Sequence, residues 1–247
     1  MVNMNTVSKM QEMKLGTMAT AFQKQLESPA FQALSFEERV GLMVDEEWTT
    51  RKNNHRNRLM KEAGFSISGA SIENIEYVPE RKLNKELITT LSSCNYIREH
   101  HNIILMGPTG CGKTYIGCAL GISAVRNFMK VKYVRLPELL TELAIARATN
   151  NFPKVIQQYQ RVTLLILDEW LLYPLNETES RNLLEIIETR YHQSSTIFCS
   201  QFDIPGWHDK FFNPLVADAI CDRIAHNSYK IIIESTESMR KRNGVKA

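Results

Sequence analysis

The stretch ILMGPTGCGKT is the feature of this 247-residue sequence that most restricts its fold. It has the spacing G-x-x-x-x-G-K-[ST], and it follows an apolar run and opens a segment of helical periodicity, as a phosphate-binding loop must. In that setting, backbone N–H groups and the positive end of the helix surround a polyphosphate. The predicted nucleotide contacts are Gly107, Pro108, Thr109, Gly110, Cys111, Gly112, Lys113, Thr114 and Tyr115.

Two side chains of this loop carry the expected chemistry. Lys113 is placed to reach the β- and γ-phosphates, and Thr114 offers a hydroxyl to magnesium. The sequence therefore predicts ATP and Mg²⁺ as cofactors. The alternative is a chance match in a glycine turn, and the strand before the loop and the helix after it argue against that reading.

A second apolar run, LLILDEW, ends in two carboxylates. Ligands of open α/β sheets bind at the carboxyl ends of the strands, where Asp168 and Glu169 would lie. Asp168 is predicted to hold the magnesium through water, and Glu169 to orient and deprotonate the attacking water. The alternative is that both are ordinary turn residues.

Strand and helix patterns alternate over the rest of the chain. The apolar runs NIILMG, VKYVRL, VTLLILD, TIFCSQF and YKIIIE each have the length of a buried parallel strand, and the segments between them can hold crossover helices. This predicts an α/β fold with a central, mainly parallel, five-stranded sheet.

The N-terminal part reads as helical. Ser35 and Glu38 have the spacing of a capping box, which opens a helix whose apolar stripe should point inward. That stripe consists of Phe36, Val40, Met43, Val44 and Trp48. The predicted organisation is a small all-helical domain over residues 1–64, a linker over 65–78 and the α/β domain over 79–247.

A run without carboxylates, RKNNHRNRLMK, follows in the same helix. Its cations are Arg51, Lys52, Arg56, Arg58 and Lys61. Composition alone leaves two explanations open. Cations in the last turns offset the negative end of the helix dipole, so the run fits a solvated helix end. The same side chains can also contact the phosphates of nucleic acid.

Composition excludes several classes of protein. A net charge of +3 is too small to indicate nucleic-acid binding by itself, so any such signal must come from clustering. Five cysteines without a C-x-x-C pair argue against a disulfide framework or zinc site and fit a reducing compartment. The sequence shows neither an apolar run of about 18 residues nor the layout of a signal peptide, which predicts a cytoplasmic protein without a membrane partner.

Two further polar residues remain open on composition. Gln201 ends a strand and is either a γ-phosphate contact or a plain strand-end group. Arg223 borders an apolar stripe of its helix, and it is either functional or an ordinary surface arginine.

Six motifs together resemble the IstB-like transposition helper ATPases, AAA+ proteins related to the DnaC helicase loaders. The resemblance extends over about residues 10–242 and rests on LSFEERVGLMVDEEW, GPTGCGKTYIGCALG, LLILDEW, CSQ, ADAICDRIAHNSYKI and ESMRKR. It implies that Gln201 occupies the sensor-1 position, Arg223 the arginine finger for a neighbouring subunit, and Arg240 a sensor-2-like position. It also implies an AAA+ core over residues 79–247 without a C-terminal lid domain.

The resemblance implies partners as well. Family members assemble on duplex DNA with ATP and recruit a cognate transposase, which they stimulate. This chain is accordingly expected to hydrolyse ATP slowly, to form a homo-oligomeric ring, spiral or filament, and to lay its basic run along the DNA backbone. The order Asp168-Glu169-Trp170-Leu171 departs from the family's usual second aspartate and glycine, so the loop after Trp170 is expected to differ from that of the family.

Two rival functions share parts of this pattern. A DnaC-like replicative helicase loader has the same fold but favours single strands and a helicase partner. A small-molecule kinase needs a mobile lid with arginines, and no basic loop of that kind lies between the phosphate loop and LLILDEW.

Overall fold

The computed structural model describes residues 2–234 and 238–239. The chain divides into two compact units, the first ending at Arg58 and the second beginning at Leu59. The boundaries proposed above for the domains stay a prediction. Within the described residues, no helix combines the length and the apolar character that a membrane crossing requires.

The first unit is helical. Its elements are α1 (Val2–Glu12), α2 (Gly16–Glu27), a 3-10 turn (Pro29–Phe31) and the part of α3 (Phe36–Ala63) that precedes Leu59. The start of α3 is fixed by the predicted capping box: the Ser35 N–H donates to Glu38 Oε2 at 2.8 Å, and the Glu38 N–H donates to Ser35 Oγ at 3.3 Å. Each residue therefore satisfies a backbone donor that the helix leaves free.

The predicted inward stripe of α3 is wrong for three of its members. Met43 is buried, but Phe36, Val44 and Trp48 are 81%, 47% and 61% exposed. Residues four apart on an α-helix advance by about 40° at each step, so the set 36, 40, 44 and 48 winds away from a single face.

The inward face of α3 instead includes a carboxylate. Glu47 is buried, and its Oε2 accepts the N–H of Met18 at 2.9 Å while its Oε1 accepts Arg51 Nε at 2.6 Å. The hydrogen bond from Arg51 lowers the pKa of Glu47, and the bond from Met18 lowers it further. The carboxylate thus fastens α2 to α3 where the sequence pattern predicted only apolar packing.

The second unit alternates strands with helices. Its strands are β1 (Asn102–Met106), β2 (Val131–Arg135), β3 (Leu164–Trp170), β4 (Ser195–Ser200) and β5 (Ser228–Ile232). Its helices are α4 (Lys85–Ser92), α5 (Asn95–Arg98), α6 (Lys113–Arg126), α7 (Leu136–Ala148), α8 (Phe152–Gln160), α9 (Glu177–Arg190), α10 (Ile204–His208) and α11 (Pro214–Ala225), and a 3-10 turn spans Pro79–Arg81. Each of the five predicted apolar runs forms a strand.

The sheet is parallel throughout and has the order β2-β3-β4-β1-β5. The predicted α/β fold is therefore confirmed, with the strand that precedes the phosphate loop in the sheet interior. The carboxyl ends of β1, β3 and β4 meet at one edge, because neighbouring parallel strands run in the same direction. Among the described residues, no lid domain follows β5.

Apolar side chains cover both faces of the sheet. Successive strand residues point to opposite faces, so Leu165 packs in one layer and Ile166 in the other. The segment 65–78, for which the sequence predicts a linker, lies within the second unit and contributes Ala70 and Ile75 to the layer that contains α6.

Candidate active site

The loop between β1 and α6 is shaped by its glycines. Gly110 and Gly112 have φ angles of +81° and +98°, a region that side chains disfavour. At Gly107, an added Cβ would lie 2.3 Å from the carbonyl oxygen of Ile233. Glycine at these three positions therefore permits the backbone conformation and the close approach on which the loop depends.

Lys113 is folded into this loop. Its ammonium donates to the carbonyl oxygens of Gly107 at 2.7 Å and Pro108 at 2.9 Å, and the side chain is buried. These two carbonyls keep the Lys113 ammonium within the phosphate loop. The same ammonium can exchange them for the stronger, charge-assisted bonds of phosphate oxygens.

Asp168, on β3, forms hydrogen bonds that connect this strand to β2 and α6. Its Oδ2 accepts the Thr114 hydroxyl and the Tyr133 hydroxyl, each at 2.7 Å, and its Oδ1 accepts the Glu169 N–H at 2.9 Å. Burial raises the pKa of Tyr133, and the neighbouring Asp168 carboxylate raises it further, so the phenol keeps its proton and donates.

The oxygen atoms at this point suit magnesium. Thr114 supplies a hydroxyl and Asp168 a carboxylate, and their oxygens are in direct contact. Mg²⁺ prefers oxygen ligands and is commonly bound by one or two protein groups together with phosphates and water. The residues present therefore fit a nucleotide-bound magnesium ion.

Glu169 is turned out of β3 by a bulge. Leu167 pairs with Phe198 and Trp170 with Ser200, so β3 holds one residue more than β4 over this stretch. Glu169 lies in this bulge and has a φ of +54°. A β-bulge redirects the side chains of the bulged strand. Arg135 at the end of β2 then donates to both Glu169 carboxylate oxygens at 2.8 Å.

Three side chains of the site were missed by sequence reasoning. Tyr133 and Arg135 lie on β2, next to β3, and only the pairing of these strands brings them to Asp168 and Glu169. Arg81 is buried beside the loop, where its Nη2 donates to the Cys111 carbonyl at 2.8 Å. No local spacing in the sequence marks any of them.

Gln201 follows β4 directly and is exposed at the edge of the sheet that carries the loop. The preceding residue, Ser200, accepts the N–H of Gly107 through its carbonyl at 3.3 Å. The structure thus brings Gln201 into the neighbourhood of the phosphate loop, at the carboxyl end of β4, which lies between β3 and β1.

Arg223 lies elsewhere. It is on the last turn of α11, where it donates to Glu188 Oε1 at 3.0 Å and to the Ala219 carbonyl at 2.7 Å. It lines a small cavity with Asn102 and Thr196, at the amino ends of β1 and β4. Arg223 is therefore at the opposite edge of the sheet from its own phosphate loop. Arg240 lies outside the described residues.

The five cations predicted to contact DNA are all exposed on α3. Arg51 is engaged with Glu47, and Arg56 donates to Asn53 Oδ1 at 3.0 Å. Lys61 belongs to the second unit and the other four to the first.

Comparison with known proteins identifies relatives over nearly the whole chain. The model of the family described as IstB-like ATP binding protein matches residues 8–247. An insertion sequence ATP-binding protein of Sinorhizobium fredii, y4pL, is 37% identical over 236 residues, which is 96% of both chains. The ATP-binding protein of insertion sequence IS1162 from Pseudomonas fluorescens is 41% identical over 201 residues, 81% of this chain and 87% of that protein.

Solved structures share the fold at lower identity. DnaI is 18% identical with a TM-score of 0.59, and the match covers 72% of this chain and 93% of that one. The DnaC helicase loader is 15% identical with a TM-score of 0.55, over 67% and 97% of the two chains.

Proposed function

Because this chain belongs to the IstB-like ATP binding protein family, we propose that it is an ATPase that assembles on duplex DNA and recruits and stimulates the transposase of an insertion sequence. The observation that carries the ATPase part is the meeting of Thr114, Asp168 and Glu169 beside the phosphate loop. A phosphate loop, a metal-binding carboxylate and a second carboxylate that can act as general base are the groups that ATP hydrolysis requires.

The phosphate loop and Asp168 bind and orient. Bound ATP supplies a terminal phosphoryl group, and Mg²⁺ supplies positive charge beside it. The loop N–H groups and Lys113 would hold the phosphates, and Thr114 and Asp168 would hold the metal. Tyr133 keeps Asp168 in place by its hydrogen bond.

Glu169 is the group that accepts the proton of the attacking water. Its carboxylate is bound to Arg135 through both oxygens, so its orientation depends on that guanidinium. Turnover then requires Glu169 to turn from Arg135 toward the γ-phosphate. This requirement fits a slow, regulated ATPase.

Gln201, at the end of β4, is proposed to contact the γ-phosphate, and Arg240 is proposed as a further phosphate contact. Arg223 acts on the site of a neighbouring subunit. Its place at the amino edge of the sheet supports this assignment, since it cannot reach the loop of its own subunit. A nucleotide site completed by a residue of the neighbouring subunit implies that the subunits assemble into a ring, spiral or filament.

The basic run of α3 binds the DNA backbone in this proposal. Its exposed guanidinium and ammonium groups can neutralise phosphates, which gives affinity without sequence preference. The relatives named for insertion sequences favour a transposase partner over a helicase, whereas the likeness to DnaC and DnaI concerns the fold alone.

The proposal is tested by assembly and stimulation together. With ATP and Mg²⁺, light scattering should report growth on duplex DNA, and strand transfer by a transposase encoded next to this chain should increase. Lys113→Ala should abolish both effects, because the loop then lacks its cation. Loading of a replicative helicase on single strands, without any effect on the transposase, would contradict the proposal.

A further inference from the structure

An exposed face of α3 is apolar in its middle and carries opposite charges at its two ends. Val44 and Trp48 are exposed on it, Val40 is half-buried, and an added Cβ at Gly41 would meet nothing within 4 Å. Glu37 precedes these residues and the basic run follows them. The self-pairing face is defined here as residues 37, 40, 41, 44 and 48, all in the first unit.

The spacing on this face forms a hole and a knob. Glu37, Val40, Gly41 and Val44 stand at positions i, i+3, i+4 and i+7, the four positions that surround one side chain of a facing helix. Gly41 leaves the floor of this hole open for a large group. Trp48, one turn beyond Val44, is a large exposed side chain of suitable size.

We infer that α3 pairs antiparallel with α3 of a second copy of this chain, with each Trp48 seated in the hole of the other. A two-fold axis at Val44 brings Val40 opposite Trp48 of the second copy. The same axis brings Glu37 opposite Arg51 of that copy. The interface is isologous, as closed dimeric contacts usually are.

Charge complementarity selects this occupant and this direction. Along this face, Glu37 lies before the apolar residues and Arg51 lies after them. Antiparallel pairing sets opposite charges against each other, whereas parallel pairing would set like charges together. Lys52 already lies 5.4 Å from the Trp48 ring and extends the positive side of the contact.

The pairing rests on the proposed function, because the face is small. Specific interfaces bury roughly 800 Å² on each partner, more than a few helical turns provide. Copies held side by side on one duplex have an effective concentration on the order of millimolar, at which a weak contact forms. The pairing therefore joins subunits that DNA has already gathered, and it makes DNA binding cooperative.

Disulfide trapping tests the contact directly. All five native cysteines are buried, so they should contribute little cross-linking beside that of an introduced, exposed thiol. Val44→Cys lies on the two-fold axis and should cross-link to itself with ATP and duplex DNA present. Glu46→Cys, exposed on another side of the same helix, is the matched control and should cross-link several-fold less.

The direction of pairing is tested by mixing two variants. Val40→Cys with Trp48→Cys should cross-link more than either variant alone, because residues 48 of the two copies lie about 12 Å apart along the axis of an antiparallel pair. A Trp48→Cys product as abundant as the mixed product would overturn the antiparallel arrangement.

Cooperativity supplies a second readout. Trp48→Ala should bring the Hill slope of DNA binding toward one while ATP turnover without DNA is unchanged, and Leu42→Ala, exposed on another side of α3, should leave the slope intact. Assembly on DNA with equal trapping of Val44→Cys and Glu46→Cys overturns the pairing alone. Failure to assemble on DNA at all overturns the proposed function together with the pairing.

Discussion

Arg135 binds Glu169 through both of its carboxylate oxygens. Glu169 is the proposed general base, so a change at this residue should affect ATP hydrolysis and leave nucleotide binding intact. Glu169→Gln keeps the shape of the side chain but cannot accept a proton. We expect nucleotide affinity to persist and phosphate release to fall by roughly 10²- to 10⁴-fold, the usual contribution of a general base. Glu138→Gln, which alters only the other partner of Arg135, is the control. Undiminished phosphate release would remove Glu169 from the mechanism.

Arg135 offers the complementary change. Arg135→Gln removes the guanidinium that engages Glu169, so the carboxylate should be available to water more often. We expect phosphate release without DNA to rise a few-fold, because a half-exposed pair is worth about 1 kcal/mol at most. The double variant Arg135→Gln/Glu169→Gln should show no gain, and a loss of activity in the single variant would instead indicate that Arg135 positions Glu169 for catalysis.

Arg190 is a residue whose role is stability. Its side chain is buried and donates to the carbonyls of Tyr159 at 2.9 Å and Val162 at 2.7 Å and to Thr196 Oγ1 at 2.9 Å. Burial lowers the pKa of its guanidinium to about 9. Arg190→Met should lower the free energy of unfolding by about 3 kcal/mol, since buried carbonyls lose their donors. Denaturant unfolding measures the loss, and Arg190→Lys, which restores some of these bonds, should recover part of it.

At the scale of the element, α3 is the helix whose exposed cations are proposed to lie on DNA. Replacing Arg56 and Arg58 with alanine should weaken binding equally on unrelated duplex sequences and flatten the salt dependence, by about 0.9 in the logarithmic slope for each lost contact. Lys9→Ala/Lys24→Ala removes two exposed cations from α1 and α2 of the same unit and is the charge-matched control. Binding titrations at several salt concentrations give both slopes. Equal slopes for the two double variants would mean that the run is a solvated helix end.

The elements also show how far sequence reasoning extends. The phosphate loop and the strand that carries Asp168 could be predicted because their signals are local: glycine spacing in one, an apolar run before carboxylates in the other. Arg81, Tyr133 and Arg135 could not, because strand pairing and folding of distant segments bring them to the site. The inward stripe of α3 failed for a different reason: residues spaced by four wind away from one face of the helix, and the face that is buried includes a carboxylate, Glu47.

At the scale of the whole molecule, Arg223 and Lys113 lie at opposite edges of one sheet. If Arg223 acts on the nucleotide site of the next subunit, Arg223→Ala and Lys113→Ala subunits should each be inactive alone. Their mixture should regain some phosphate release, because some sites would combine Lys113 of an Arg223→Ala subunit with Arg223 of a Lys113→Ala subunit. A mixture of Lys113→Ala with Glu169→Gln is the control and should regain nothing, because both residues serve the same site. A Lys113→Ala and Arg223→Ala mixture as inactive as its components would exclude shared sites.

β5 is an outer strand of the sheet and follows the other four strands in sequence, so we expect the phosphate loop to take its final shape late in synthesis. The N–H of Ile233 donates to the Met106 carbonyl at 2.8 Å, and the carbonyl of Ile233 lies against Gly107, so the end of β5 supports the start of the phosphate loop. Parallel strands so distant along the chain pair late, since loop closure precedes any gain from the contact. A nascent chain released before β5 has emerged would therefore carry the complete loop motif and yet lack the scaffold that shapes it. Such truncated products should not compete for the cell's nucleotide.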